Sequence, residues 1–257
     1  TANGCETDLN TLENCGACNN ACEDTNASKI LCIAGACAYE CKENTQLCEG
    51  HCRDLSEDDE NCGACGHACT DGATCQKGFC TIPLNKCVEG YVTTTVNDKP
   101  IKAYCVRSEL ELEAIRNNIN AGSKYPADST DNAYILMKDL DLGTRDWSPI
   151  GYGHAFTGTF LGNGKTISGK LSTTGSNVGL FGYVTKSILD GFNLKIDLTA
   201  KGSGIQHIGG LVGYITNSSI SNSKIVGAVT DPNNSSGTYD RLGGLVGYMV
   251  SSSITNC

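Results

Sequence analysis

Residues 209–220 read GGLVGYITNSSI; the same text returns as GGLVGYMVSSSI at 243–254 and, earlier, as VGLFGYVTKSI at 178–188. Leu180, Leu211 and Leu245 are equivalent, at spacings of 31 and 34 residues. Side chains alternate along a strand, so Leu211, Gly213 and Ile215 share one face and Tyr214 stands on the other. Stacked in register, the copies put Gly213 between Gly182 and Gly247, Ile215 between Val184 and Met249, and Tyr214 between Tyr183 and Tyr248. No single copy can bury its apolar face, so neighbours must stack to build a continuous core. Helical repeats of similar length need alanine- and leucine-rich runs, which are missing. The expectation is an all-β solenoid, a right-handed parallel β-helix.

Upstream, SELELEAIRNNIN at 108–120 is the one convincing helix. Ser108 is placed to cap it with Glu111 three residues on, and Leu112, Ile115 and Ile119 form its apolar stripe. The helix is expected to cover the exposed strand edge of the first rung. Before it, KCVEGYVTTTVNDKPIKAYCV at 86–106 alternates about Asn97-Asp98. That pattern predicts a β-hairpin stapled by Cys87 and Cys105.

The N-terminal part repeats covalently. Of 17 cysteines, fourteen precede residue 81. Cys5, Cys15, Cys18, Cys22, Cys32 and Cys37 match Cys52, Cys62, Cys65, Cys69, Cys75 and Cys80, with DLNTLENCGACNNAC set against DLSEDDENCGACGHAC. The first copy carries a four-residue insertion after Cys22, and Cys41 and Cys48 lie between the copies. So short a module buries too little apolar surface to fold alone, which argues for a disulfide framework and an oxidising compartment. Spacing leaves the connectivity open, because six cysteines allow 15 pairings. The rival reading, a zinc or iron–sulfur site on Cys15, Cys18 and Cys22 or on Cys62, Cys65 and Cys69, fits poorly with three further cysteines per copy. No metal and no cofactor is expected, and His51 and His67 read as solvated loop residues. The domain division is 1–46, 47–86, 87–106 and 107–257.

Residues 1–106 carry 16 acidic and 7 basic side chains, whereas 107–257 carry 12 of each. The acidic first part argues against nucleic acid and anionic membrane as partners. No apolar run approaches the roughly 20 residues of a membrane helix. The low aromatic content of 6% and the 31 glycines suggest closely packed backbones rather than a bulky core. The chain begins at Thr1 without a signal peptide, as a mature or excised form would. An odd cysteine count leaves at least one without an intrachain partner, with Cys257, which aligns with Ser223, the first candidate. Further rungs are expected after residue 257, as is self-association of this chain through an open last rung.

The text CEGHCRDLSEDDENCGACGHACTDGATCQKGFC at 48–80 resembles the small cysteine-rich repeats of stigma-specific-type domains, which also occur in tandem in bacterial surface proteins. The resemblance covers roughly residues 1–80 and implies an extracellular disulfide-rich module without a chemistry of its own. The region 107–257 resembles the GLUG-repeat family. DLDLGTRDWSPIG at 139–151 followed by FTGTFLGNGKTISG at 156–169 resembles the start of right-handed β-helices in bacterial adhesins and beside the catalytic part of immunoglobulin-A-cleaving metallopeptidases. These likenesses imply a fold and an extracellular or cell-surface setting, and carry over no catalytic residue.

Other chemistry is weak. Gly164-Lys165-Thr166 ends like a phosphate loop, but Thr159 stands where the leading glycine belongs, and Asn163-Gly164 reads as a hairpin turn. No His-Glu-x-x-His motif exists, and Ser221-x-x-Lys224 is a chance spacing. Asp190, Asp197, Asp231 and Asp240 do not recur at equivalent rung positions, so no polysaccharide-cleaving carboxylate cluster is expected. Asn26, Asn217, Asn233 and Asn234 head sequons that matter only in a glycosylating host. Tyr183, Tyr214 and Tyr248 are the candidate binding residues, either an aromatic strip for a glycan or protein or a structural ladder. The expectation is a non-enzymatic structural or adhesive segment. The alternatives are a carbohydrate- or protein-binding module and an accessory region of a secreted peptidase.

Overall fold

The computed structural model describes residues 8–69, 73–127, 131–201, 204, 207–232 and 241–257. The chain divides into two compact units, Thr1–Thr81 and Ile82–Cys257.

The second unit is a parallel β-solenoid of about five turns. Each turn visits up to four faces. The first carries Ala133–Leu136, Thr159–Leu161, Ile188–Asp190, Ser219–Ser221 and Ser253–Thr255, all paired in parallel. The second carries Leu140–Asp146, Thr166–Thr173, Asn193–Ala200, and Lys224–Val226 with Val229–Thr230. The third carries Asn177–Val178, His207–Gly209 and Arg241–Gly243; the fourth carries Phe181–Thr185, Val212–Thr216 and Val246–Val250. Parallel register lines equivalent side chains up in columns, such as Tyr134, Phe160, Leu189 and Ile220 buried inside the first face, with Ile254 exposed at the column's end.

The core is bulkier at its start than the composition suggests. Phe156, Phe160, Phe181 and Phe192 are fully buried and lie with Tyr134 in one cluster, ring centroids 5.3–6.4 Å apart. The few aromatics are concentrated rather than spread, and later turns fill with Leu, Ile and Val.

The hairpin forms from Tyr91–Val96 and Lys99–Val106, with Asn97 and Asp98 at φ 49° and 60° as a primed turn requires. Cys87 and Cys105 are bonded. The strand Lys99–Val106 continues into the first face, pairing in parallel with Ala133–Leu136. It is therefore the hairpin, not the helix, that covers the strand edge of the first rung. The helix, Glu109–Asn120, instead places Leu112, Ile115 and Ile119 in the solenoid core. Arg116 lies 4.6 Å from the Trp147 ring centroid, and Asn120 accepts from the N–H groups of Gly151 and Tyr152. Ser108 accepts from the Glu111 N–H, but the Glu111 carboxylate takes the N–H and guanidinium of Arg107 rather than the cap residue's own N–H.

Asn163-Gly164 is a turn, but not a hairpin. The strands on either side of it, Thr159–Leu161 and Thr166–Thr173, belong to different faces, so the pair turns a solenoid corner. Asn163 is buried, and its amide bonds both the N–H and the carbonyl of Ile82, as a neighbouring strand would.

The first unit holds three short antiparallel pairs: Ala27–Ile33 with Ala36–Cys41, Gln46–Cys48 with His51–Arg53, and Thr74–Gln76 with Phe79–Thr81. Every buried hydrophobic residue among its described residues is a cysteine: Cys15, Cys22, Cys48, Cys52, Cys62 and Cys75. Disulfides thus stand in for the apolar core that so short a module lacks.

Candidate functional site

The two cysteine repeats share their inner connectivity. Cys15–Cys32 and Cys22–Cys37 match Cys62–Cys75 and Cys69–Cys80, and the first pair of loops is longer by the four-residue insertion. Cys41 and Cys48, outside the repeat alignment, bond Cys52 and Cys65, so Cys41–Cys52 crosses the 46/47 division and joins the copies. Cys18 is also disulfide-bonded, whereas Cys5 lies outside the described residues. The sulfurs of Cys15, Cys22 and Cys37, and of Cys62, Cys69 and Cys80, gather within 4.8 Å of one another because two bridges pack side by side. The glycine of each NCGAC run explains itself: a Cβ on Gly16 would meet the Gly35 carbonyl, and one on Gly63 that of Gly78.

Asp24 is nearly buried and accepts from the N–H groups of Cys52 and Asn26. Burial raises its pKa, but those bonds with nearby His51 and Arg53 outweigh it and hold the carboxyl below its ordinary value. His67 bonds the Cys62 carbonyl.

In the solenoid, the glycines of GGLVGY serve close approach rather than unusual backbone angles. A Cβ on Gly209 would fall 2.6 Å from the Gly247 nitrogen, and one on Gly213 would fall 2.6 Å from the Val178 nitrogen. The third and fourth faces of successive turns therefore touch backbone to backbone at this corner. Register also shows that the first copy lacks one residue here, because Val178 pairs with Ile208 while Tyr183 pairs with Tyr214. An ungapped comparison sets Val178 against Gly209 and conceals the column Asn177, His207, Arg241.

That column completes the tyrosine ladder. Tyr183 and Tyr214 stack at 5.1 Å, Tyr214 and Tyr248 at 5.3 Å, and the His207 ring stacks on Tyr214 and Tyr248 at 5.3 and 5.0 Å. Arg241 sits 3.8 Å from the Tyr248 ring centroid. His207 donates from Nδ1 to Asn177 Oδ1 at 2.7 Å and accepts the Arg241 guanidinium at Nε2, 3.2 Å away. The three tyrosines are brought together as expected, but Tyr214 has a neighbour on both faces. The ladder offers ring edges and hydroxyls outward rather than open faces for a sugar. Asn177, His207 and Arg241 were missed in the sequence; the gap before Leu180 hid their equivalence.

Residues 204–230 match the GLUG motif. Residues 3–83 match the stigma-specific STIG1-like protein family. No curated protein and no solved structure matches the chain. The GLUG match spans the His207–Gly209 and Val212–Thr216 strands, the middle copy of the ladder. With the bridges of the first unit, the two matches point to an extracellular structural or adhesive region.

His207 yields a pH prediction. Burial, then the Arg241 charge, lowers its pKa below the ordinary value. The folded state therefore disfavours the proton relative to the unfolded chain, and stability present above about pH 6.5 is lost as pH falls below it. Between pH 7 and pH 5, wild type is expected to lose more stability than His207→Gln in urea titrations. Equal losses would show that the imidazole does not titrate against Arg241.

A second ladder runs inside the solenoid. The Oγ atoms of Ser187, Ser218 and Ser252 accept from the N–H groups of Gly158, Ser187 and Ser218, one turn earlier. Each also donates to the carbonyl two residues back. Ser223 does the same for Phe192, and Cys257 takes its place one turn on, bonding the Thr255 carbonyl as Ser223 bonds Ser221. Cys257 is the free cysteine among the described residues, and burial raises its thiol pKa.

The remaining candidates resolve into local structure. Ser221 donates to Asp190 of the preceding turn. Asp197 accepts the Ala228 N–H where Gly227 interrupts the strand, and Asp141 accepts the Gly143 N–H. Asn26 donates to the Cys52 carbonyl and Asn217 is exposed at a corner, whereas Asn233, Asn234 and Asp240 lie outside the described residues. No helix among the described residues is long and apolar enough to cross a membrane.

Proposed function

We infer that the chain is a non-catalytic structural or adhesive segment of a bacterial cell-surface protein. The first unit acts as a protease-resistant spacer and the solenoid as a rigid surface. The observation that carries this reading is that the recurring polar and aromatic groups are spent on one another. Tyr183, Tyr214 and Tyr248 stack, His207 links Asn177 to Arg241, and the serines bond from turn to turn. Groups so engaged hold a shape and are not poised to react.

Limited proteolysis of the full chain tests this. The oxidised protein is expected to resist a broad-specificity protease. Mild reduction should expose the region before Thr81, whose buried apolar residues are all cysteines among those described, while the solenoid persists as a stable fragment. Cleavage of the oxidised first unit as fast as the reduced one would overturn the spacer role. Turnover in a panel of glycoside, ester and peptide substrates would overturn the absence of catalysis.

A further inference from the structure

The hairpin, the helix end and the loop after it border an open surface groove of about 590 Å³, lined by Glu89, Tyr91, Tyr104, Asn118, Lys124 and Tyr125 together with Pro126 and Ala127. That volume lies within the range of small-ligand sites, and its lining combines aromatic rings with a few convergent polar groups. Tyr104 is the deepest of the three rings, 9% exposed, and Tyr91 and Tyr125 are half-buried. Both meet Tyr104 at 5.6 Å with interplanar angles of 77° and 85°. Neither contact is a face-to-face stack, in contrast to the ladder. Lys102 lies 4.2 Å from the Tyr91 centroid.

The geometry points to a binding site for one or two pyranose units of a neutral glycan. The C–H edges of a pyranose carry slight positive charge and pack against the negative face of an aromatic ring, while its hydroxyls need donors and acceptors at the rim. Glu89 and Lys124 are exposed there, and neither forms an ion pair or hydrogen bond among the described residues. With one carboxylate and one ammonium, the edge of the groove offers hydrogen-bond acceptors and donors alike.

The site is held in shape before any ligand arrives. The Cys87–Cys105 bridge ties the Glu89 loop to the strand that carries Tyr104, and the Cys105 N–H bonds the Gly90 carbonyl. Gly90, at φ 84°, lets that loop lie against the Tyr104 ring. The Tyr104 hydroxyl faces Glu111, and its pKa is pushed up to about 12 by burial, then by the Tyr125 hydroxyl and the Glu111 charge. It stays protonated at physiological pH. Rigid walls reduce the ordering cost of binding.

This site goes beyond the structural reading, which needs no ligand, so its failure leaves that reading standing. The test is NMR titration of the full chain with lactose, mannobiose, chitobiose and cellobiose, and with a proline-rich decapeptide as rival. At least one disaccharide should bind and shift the resonances of Glu89–Tyr91, Asn118 and Lys124–Tyr125. Tyr125→Ala should weaken binding at least about tenfold. Lys124→Ala and Glu89→Gln, both at exposed positions, should each weaken it about threefold or more, and they decide the matter if Tyr125→Ala does not fold. Tyr214→Ala should leave binding unchanged. The proposal falls if no disaccharide binds, if shifts map to the Tyr183–Tyr248 ladder, if the rim variants bind like wild type, or if the pocket takes only the peptide.

Discussion

Gly213→Val is expected to lower stability by about 3 kcal/mol or more, at or above the top of the usual range for overpacked sites. The first added carbon would lie 2.6 Å from the Val178 nitrogen and 2.8 Å from the Asn177 carbonyl carbon. Both atoms are backbone, so no side chain can swing aside. Relief requires the third and fourth faces of adjoining turns to separate, which breaks the pairing of Asn177–Val178 with His207–Gly209. Stacking the copies by register alone points to crowding against Gly182 and Gly247; the first collision is instead with the neighbouring face. Urea unfolding monitored by circular dichroism measures the change. An unaltered midpoint would mean that the corner is looser than its backbone distances say.

Phe160→Ala should cost about 3–5 kcal/mol, a fall in Tm on the order of 10 °C. Phe160 is fully buried and meets Tyr134, Phe156, Phe181 and Phe192, rings from three successive turns. The cavity left behind resists collapse, because Tyr134 and Phe181 sit in paired strands, Phe156 bridges Val184 of the next turn, and the Phe192 backbone bonds Ser223 and Lys224 of the next turn. Leu189→Ala, one turn on in the same column, removes a smaller side chain and should cost about 2–5 kcal/mol. A Phe160→Ala effect below about 1 kcal/mol would show that the cluster is not the centre of the fold.

What could be read from the sequence was whatever repeats or lies close by along the chain. Two copies of GGLVGY and one of VGLFGY betray the stack, Asn97-Asp98 betrays its hairpin, and Ser108 with Glu111 betrays the helix, because each signal sits within a few residues. The cysteine repeat showed a framework but not its partners: Cys52 and Cys65 reach Cys41 and Cys48, residues the repeat alignment leaves out. His207 escaped because one missing residue in the first copy shifted the alignment by one position. Tyr91, Tyr104 and Tyr125 escaped for another reason. They come from two strands and a loop after the helix, and only the fold brings them to one groove. Asn163 was seen as a turn residue, yet its amide also anchors Ile82, 81 positions earlier.

The serine ladder has a direction. In every bond of Gly158, Ser187 and Ser218, the earlier turn supplies the amide and the later turn the hydroxyl. A turn that has closed still carries a buried donor with nothing to bond until the next serine arrives, and an orphaned buried donor costs about 1–3 kcal/mol. Each coil therefore presents to the next a buried amide that only the correctly registered serine can satisfy. A slipped coil would leave that amide unpaired and its own apolar column facing water.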